Sequence, residues 1–289
     1  MTTPSTLPSG PVRRILASPP ARVLLLGFIL LLMMGLNEDV MTGFAAEPVK
    51  ATQHIIAMAI AGFAVYIGHA HFIERRDVPE LRTAGMGREF GIGLLVGAGL
   101  YAACEALLMA LGIYRIDGLN PLSYLVPAVA MAISSSVFEE LLFRGVLYRS
   151  VETWFGSWAA LVVSALVFGL THLMNPQATL EGALFIAVEA GILLGAAVML
   201  TRRLWLSIGF HMAWNYTQSA IFSGIVSGND AEPGWIRSTV KGPDYLTGGN
   251  FGVESSVLAL VLCTTTGIVM LVMAHRRGLV VPPIWKRHA

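Results

Sequence analysis

Eight stretches of mostly apolar residues recur along the chain, at 22–41, 53–73, 90–113, 123–147, 157–174, 180–200, 204–224 and 254–274. A helix needs about 20 such residues to cross a bilayer. The expected fold is therefore all-α, a polytopic transmembrane helical bundle of about eight spans. Composition agrees. The chain is 55% hydrophobic, has a mean hydropathy of +0.68 and is only 13% charged, against roughly 25% charged in an ordinary soluble domain. Disorder, a coiled coil and a disulfide-stapled scaffold are excluded as the main description. A net charge of +1 supplies no basic field, so no nucleic-acid partner is expected. Cys104 and Cys263 both lie in apolar runs and read as small buried hydrophobes.

Polar and charged residues collect between the runs. Residues 1–20 hold five prolines and are expected to be a flexible cytoplasmic tail. Residues 21–275 are expected to form a single transmembrane domain with its motif core at 123–224, and 276–289 a second cytoplasmic tail. The first apolar run, 23–36, is short and stops at Asn37-Glu38-Asp39. An uncleaved anchor is expected there rather than a signal peptide cut near Gly43 and Ala45. Lys and Arg in short loops set orientation. With both termini in the cytoplasm, fourteen of them fall inside: Arg13, Arg14, Arg22, Arg75, Arg76, Arg82, Arg88, Arg149, Arg202, Arg203, Arg276, Arg277, Lys286 and Arg287. Four fall outside: Lys50, Arg115, Arg237 and Lys241. The expected location is the cell membrane, multi-pass.

Ionisable groups within such runs cost at least ~2.5 kcal/mol each, and they persist where they pair or do chemistry. The runs contain Glu105, Glu139, Glu140, Arg144, His172, Glu189 and His211, with Asn215 as a polar neighbour. Adjacent helical residues point about 100° apart, so Glu139 and Glu140 cannot share a direction. Glu140 and Arg144 stand at i, i+4 with the acid first, the favourable order for a salt bridge. That pairing occupies Glu140 and leaves Glu139 free. An apolar cavity increases a carboxylate's proton affinity, which suits a base near neutral pH. His211 and Asn215, also at i, i+4, project from one face. A purely structural ion network locking helices together accounts for the same residues and stays open on the residues alone.

Glu139-Glu140-x-x-x-Arg144, then Phe168-x-x-x-His172, then His211-x-x-x-Asn215, on successive helices, resemble the CPBP (or Abi) family. That family contains the CAAX prenyl endopeptidases and the bacteriocin-processing and immunity proteins. The resemblance implies an intramembrane glutamic endopeptidase acting on a membrane-embedded or lipidated protein or peptide. It places the general base on Glu139, with His172 as its partner in activating water. It places oxyanion stabilisation on His211 and Asn215, and supporting roles on Glu140 and Arg144. Either no cofactor is required or Zn²⁺ is held by Glu139, His172 and His211 with an open fourth position. The alternative is a non-enzymatic membrane protein, an immunity factor or scaffold, built on the same bundle. The sequence leaves the oligomeric state open.

Other chemistries lack their motifs. The chain has no His-Glu-x-x-His, no Gly-x-Ser-x-Gly, no phosphate-cradling loop, and no Asp within the apolar runs except Asp39 at the polar end of the first. Glu105 and Glu189 read first as helix–helix hydrogen bonders, with cavity lining as the alternative. His69 and His71 read as interfacial anchors. Gly93 with Gly97, and Gly191 with Gly195, have the spacing that lets helices approach closely. Depth arithmetic at 1.5 Å per residue puts His172 deeper than Glu139 and His211. Residues 150–156 are therefore expected to project into the cytoplasm, with the cavity opening toward the cytoplasmic side.

Overall fold

The computed structural model describes residues 11–44 and 46–287. Residues 1–10 and 288–289 of the two expected tails, and Ala45 of the expected processing site, lie outside the described residues. The chain is three-quarters helical with almost no sheet, and it folds as a polytopic all-α bundle. In chain order the helices are α1 (Pro11–Leu16), α2 (Pro19–Gly43), α3 (Pro48–Gly68), α4 (Met86–Ala110), α5 (Pro127–Glu139), α6 (Arg149–Thr171), α7 (Leu180–Ile186), α8 (Ile192–Thr201), α9 (Trp205–Tyr216), α10 (Asp244–Thr247) and α11 (Val257–Arg276). The segment expected to be a tail is therefore helical from Pro11 to Leu16, and α2 continues through Asn37 to Gly43.

Among the described residues, six helical segments are long and apolar enough to cross a membrane. One of them, Leu122–Met174, is 53 residues long and covers two of the expected runs. Its break is at Gly156, whose φ of 80° lies in the left-handed region that only glycine enters freely. The expected run at 204–224 is helical over Trp205–Tyr216 and continues through a π-helical turn to Ile221, short of a full spanning length. Leu24, Phe28, Leu95, Val162, Val261 and Ile268 point outward and are exposed, as lipid-facing side chains are.

The two ends of the bundle differ. At the end holding both termini, charged side chains knit the loops together. Arg22 pairs with Glu74, Arg76 with Glu74 and Glu80, Arg149 with Glu80, and Arg202 with Glu152. Buried Tyr66 donates to Glu80 at 2.7 Å. Ser157 N donates to Val281 O at 2.9 Å, which ties the start of the second half of α6 to the C-terminal segment. Residues 150–156, expected to project into the cytoplasm, are helical up to the break at Gly156 and carry Glu152, one of the acids paired at this end. The opposite end carries a two-stranded antiparallel ribbon, β1 (Tyr114–Leu119) and β2 (Ile236–Val240), with an irregularity between Ile116 and Gly118.

Close helix approach positions the interior. A Cβ on Gly97 would meet the Phe210 backbone carbon atoms at 3.1 Å, and one on Gly93 would meet Phe210 N at 2.7 Å. Only glycine lets α4 lie so tightly on α9, the helix that carries His211 and Asn215. A Cβ on Gly191 would meet Ala165 at 2.8 Å, so the second glycine pair seats α8 and the turn before it on α6. Both pairs pack within the bundle.

Candidate active site

α5 ends at Glu139, and the helix continues through a wider π-helical stretch, Glu140–Tyr148. Such stretches are uncommon and concentrate at functional sites. Glu140 and Arg144 are both 0% exposed. Arg144 Nη1 donates to Glu140 Oε1 at 2.9 Å, so the i, i+4 pair forms. Arg144 Nη2 also donates to Gly191 O at 3.4 Å. The guanidinium lies 4.3 Å from the Phe168 ring centre, within cation–π range. One arginine therefore connects three helical segments.

His211 stands between the paired acids. Its Nδ1 is 3.2 Å from Glu140 Oε1, and its Nε2 is 3.8 Å from Glu139 Oε2. The first distance is a hydrogen bond. The second is too long for one, leaving space at Nε2 for a bridging atom. Among the described residues Glu139 accepts no hydrogen bond, and its Oε2 is buried without a partner. Its side chain retains 16% exposure. Asn215 Nδ2 donates to Ser135 Oγ at 3.0 Å. That fixes the amide across α5 and α9 and leaves its second N–H unbonded.

His172 terminates α6. Its Nδ1 lies 2.8 Å from Phe168 O. A carbonyl can only accept, so Nδ1 carries the proton, and in the neutral ring Nε2 is left as an acceptor. The structure does not bring His172 into hydrogen-bonding or ion-pair contact with Glu139. Phe168 instead links His172 with His211, its ring packing on the first at 4.8 Å and on the second at 6.1 Å between centres.

An interior cavity adjoins this cluster. His172, His211, Asn215, Glu189, Glu254, Ser227 and Cys263 line it, with Phe168, Phe210 and Trp214 among its apolar walls. Glu139 is not part of that wall. Of the acids read from sequence, Glu105 accepts from Tyr101 Oη at 3.0 Å, a bond one turn away on the same helix rather than the expected one between helices. Glu189 lines the cavity. Sequence reasoning passes over Glu254. It accepts from Trp214 Nε1 at 2.9 Å, from Ser227 N at 2.6 Å and from Ser227 Oγ at 2.8 Å. The usable signal was an acid opening the 254–274 run in a chain with few charges. Ser227, in the longest loop, carried none. Its carbonyl also accepts from Asn175 Nδ2 at 2.6 Å, so the loop is pinned to the segment after His172. Ser227 and Glu254 belong to the end opposite the termini, so this wall of the cavity faces away from the side where the opening was expected.

The alternative Zn²⁺ set of Glu139, His172 and His211 is not grouped as a metal site in the structure. Among the described residues no three His, Cys, Asp or Glu side chains converge closely enough to hold a metal ion. Both His211 nitrogens face carboxylates, and His172 Nδ1 is taken by a carbonyl.

Residues 121–217 match the type II CAAX prenyl endopeptidase Rce1-like family. The matched segment begins just ahead of α5 and ends just past α9. It contains all seven residues of the three motifs, and the likeness to the CPBP family holds over it. It supports an intramembrane protease of the CAAX-endopeptidase type in a multi-pass membrane protein. No curated protein and no solved structure matches the chain. The Rce1-like segment thus coincides with the part of the bundle that holds the buried charges.

Proposed function

We propose that the protein is an intramembrane endopeptidase that hydrolyses a peptide bond in a membrane-embedded or lipidated substrate, with Glu139 as general base. One observation carries the reading. Two adjacent glutamates in an apolar interior have opposite environments: Glu140 is locked by Arg144 and His211, while Glu139 accepts no hydrogen bond and faces a gap at His211 Nε2. A structural lock uses its acids; this one leaves an acid over.

In the mechanism, Glu139 takes a proton from a water oriented by the lone pair of His172 Nε2. The resulting hydroxide adds to the scissile carbonyl carbon. The tetrahedral oxyanion accepts hydrogen bonds from His211 Nε2–H, in the imidazolium form, and from the free N–H of Asn215. Preorganised donors of this kind are worth roughly 3–4 kcal/mol each in related chemistry. Collapse breaks the C–N bond, and Glu139 returns its proton to the leaving amine. Glu140 and Arg144 hold His211 in place. No step passes through a metal.

The proposal includes a cell-membrane location, cytoplasmic termini and eight spans. The charge bias of the loops supports the orientation. The count follows if the segment 122–174 crosses twice, turning at Gly156, and if the short α9 with its π turn also crosses.

The test is mapping of peptide termini in membrane fractions by mass spectrometry, comparing cells with the native chain and cells with Glu139→Ala at equal expression. Termini that require Glu139 are expected. Identical profiles would replace this reading with the non-enzymatic one, an immunity factor or scaffold held together by the same charges.

A further inference from the structure

The cavity contains one carboxylate with nothing to bind. Glu189 is 1% exposed and lines the cavity. Among the described residues it accepts no hydrogen bond, and its Oε2 is a buried atom without a partner. It sits in a π-helical turn, Ala187–Gly191, between α7 and α8. A buried acid with no donor is costly in an apolar interior.

The neighbouring polar groups do not relieve it. Glu254 is saturated by Trp214 and Ser227. His211 is held between Glu139 and Glu140. Arg144 is spent on Glu140, Gly191 and the Phe168 face. No lysine or arginine lines the cavity. The wall therefore offers two carboxylates, and its one basic side chain, His211, is already held by Glu139 and Glu140. The complementary ligand is a group made only of donors, and among peptide side chains lysine and arginine are those groups. A free C-terminal carboxylate would meet two acids instead.

We propose that Glu189 is a specificity-determining residue of the peptidase, receiving a lysine or arginine side chain of the substrate peptide near the scissile bond. The inference rests on the peptidase reading for its biological meaning, and the binding it requires is measured separately. Trp214 and Phe168 wall the cavity and are themselves buried, so their rings must give way to admit the basic side chain and then shelter its methylene stem. Its charged head meets Glu189, which holds the adjacent backbone near His211 and His172.

The experiment uses the full chain in lipid nanodiscs with Glu139→Gln to prevent turnover. The probes are fluorescent transmembrane peptides in pairs, identical except for lysine or norleucine at one position, which is moved along the peptide. For at least one position the lysine peptide should bind at least about tenfold tighter than its norleucine partner, the scale of a hydrogen bond to a charged group. Adding Glu189→Gln should collapse that ratio, and Glu189→Asp should retain part of it. Lysine peptides that bind no tighter than norleucine peptides at every position overturn the inference, as does a ratio that survives Glu189→Gln. The native-side-chain comparison needs no substitution at 189, so a misfolded Glu189 variant does not spare the inference. Failure of the peptidase reading shows itself differently: the binding ratio persists while no Glu139-dependent cleavage is found.

Discussion

Replacing Arg144 with Met tests the buried charge network most directly. The guanidinium is 0% exposed and pairs with Glu140 at 2.9 Å. Met fills a similar volume without charge. Glu140, also 0% exposed, keeps His211 and the Ser207 hydroxyl but loses its guanidinium. Removing one partner of a buried pair costs about 3–5 kcal/mol, because the remaining charge is uncompensated. The Phe168 cation–π contact, worth up to ~2 kcal/mol when desolvated, falls within the same loss. Restoring neutrality should recover stability. In the double variant Arg144→Met/Glu140→Gln, the amide oxygen still accepts from His211 Nδ1, and no lone charge remains. Recovery of at least ~2 kcal/mol is expected, since neutral replacement of a whole buried pair is often nearly free. The assay is reversible unfolding by SDS titration in mixed micelles, followed by tryptophan fluorescence and run as a double-mutant cycle. An Arg144→Met variant within ~1 kcal/mol of the native chain would refute the reasoning. So would a double variant as unstable as the sum of the singles.

Gly97→Ala should destabilise the bundle by about 1–3 kcal/mol by pushing α9 away from α4, and it should reduce any Glu139-dependent cleavage because His211 and Asn215 move with α9. Gly99→Ala, where nothing lies within 4 Å of the added carbon, should do neither, and equal effects at the two sites would count against the packing argument. Glu80 supplies a pH test outside the spanning segments. Burial favours its neutral form, but Arg149 and Arg76 outweigh this and hold its carboxyl below the ordinary range. A depressed folded value means that its contribution is present at neutral pH and is lost as pH falls below the unfolded value of about 4.3. The native chain should therefore lose more thermal stability between neutral pH and the acid side of that value than Glu80→Gln does, and parallel profiles would remove Glu80 from the account.

Much of the architecture was legible from the chain alone. Long apolar runs dictate helices in lipid because backbone groups find no water there, and the small-residue spacing at Gly93 and Gly97 marked where helices touch. The Glu140–Arg144 pair followed from helical periodicity, since both partners lie one turn apart on one element. What sequence could not carry is whatever depends on side chains arriving from different helices. His211 bridging two acids, Phe168 reaching Arg144 as well as its own helix's His172, and Ser227 capping Glu254 join different elements across 24 to 72 positions of chain. The separation of Glu139 from His172 is of the same kind. Both carry motif positions, yet the helix ends and the carbonyl of Phe168 decide where each nitrogen and oxygen points. Sequence determined which residues are polar in an apolar interior. Only tertiary packing decided how each is satisfied: among the described acids inside the spans, Glu139 and Glu189 accept no hydrogen bond, and these are the two proposed to meet water and substrate.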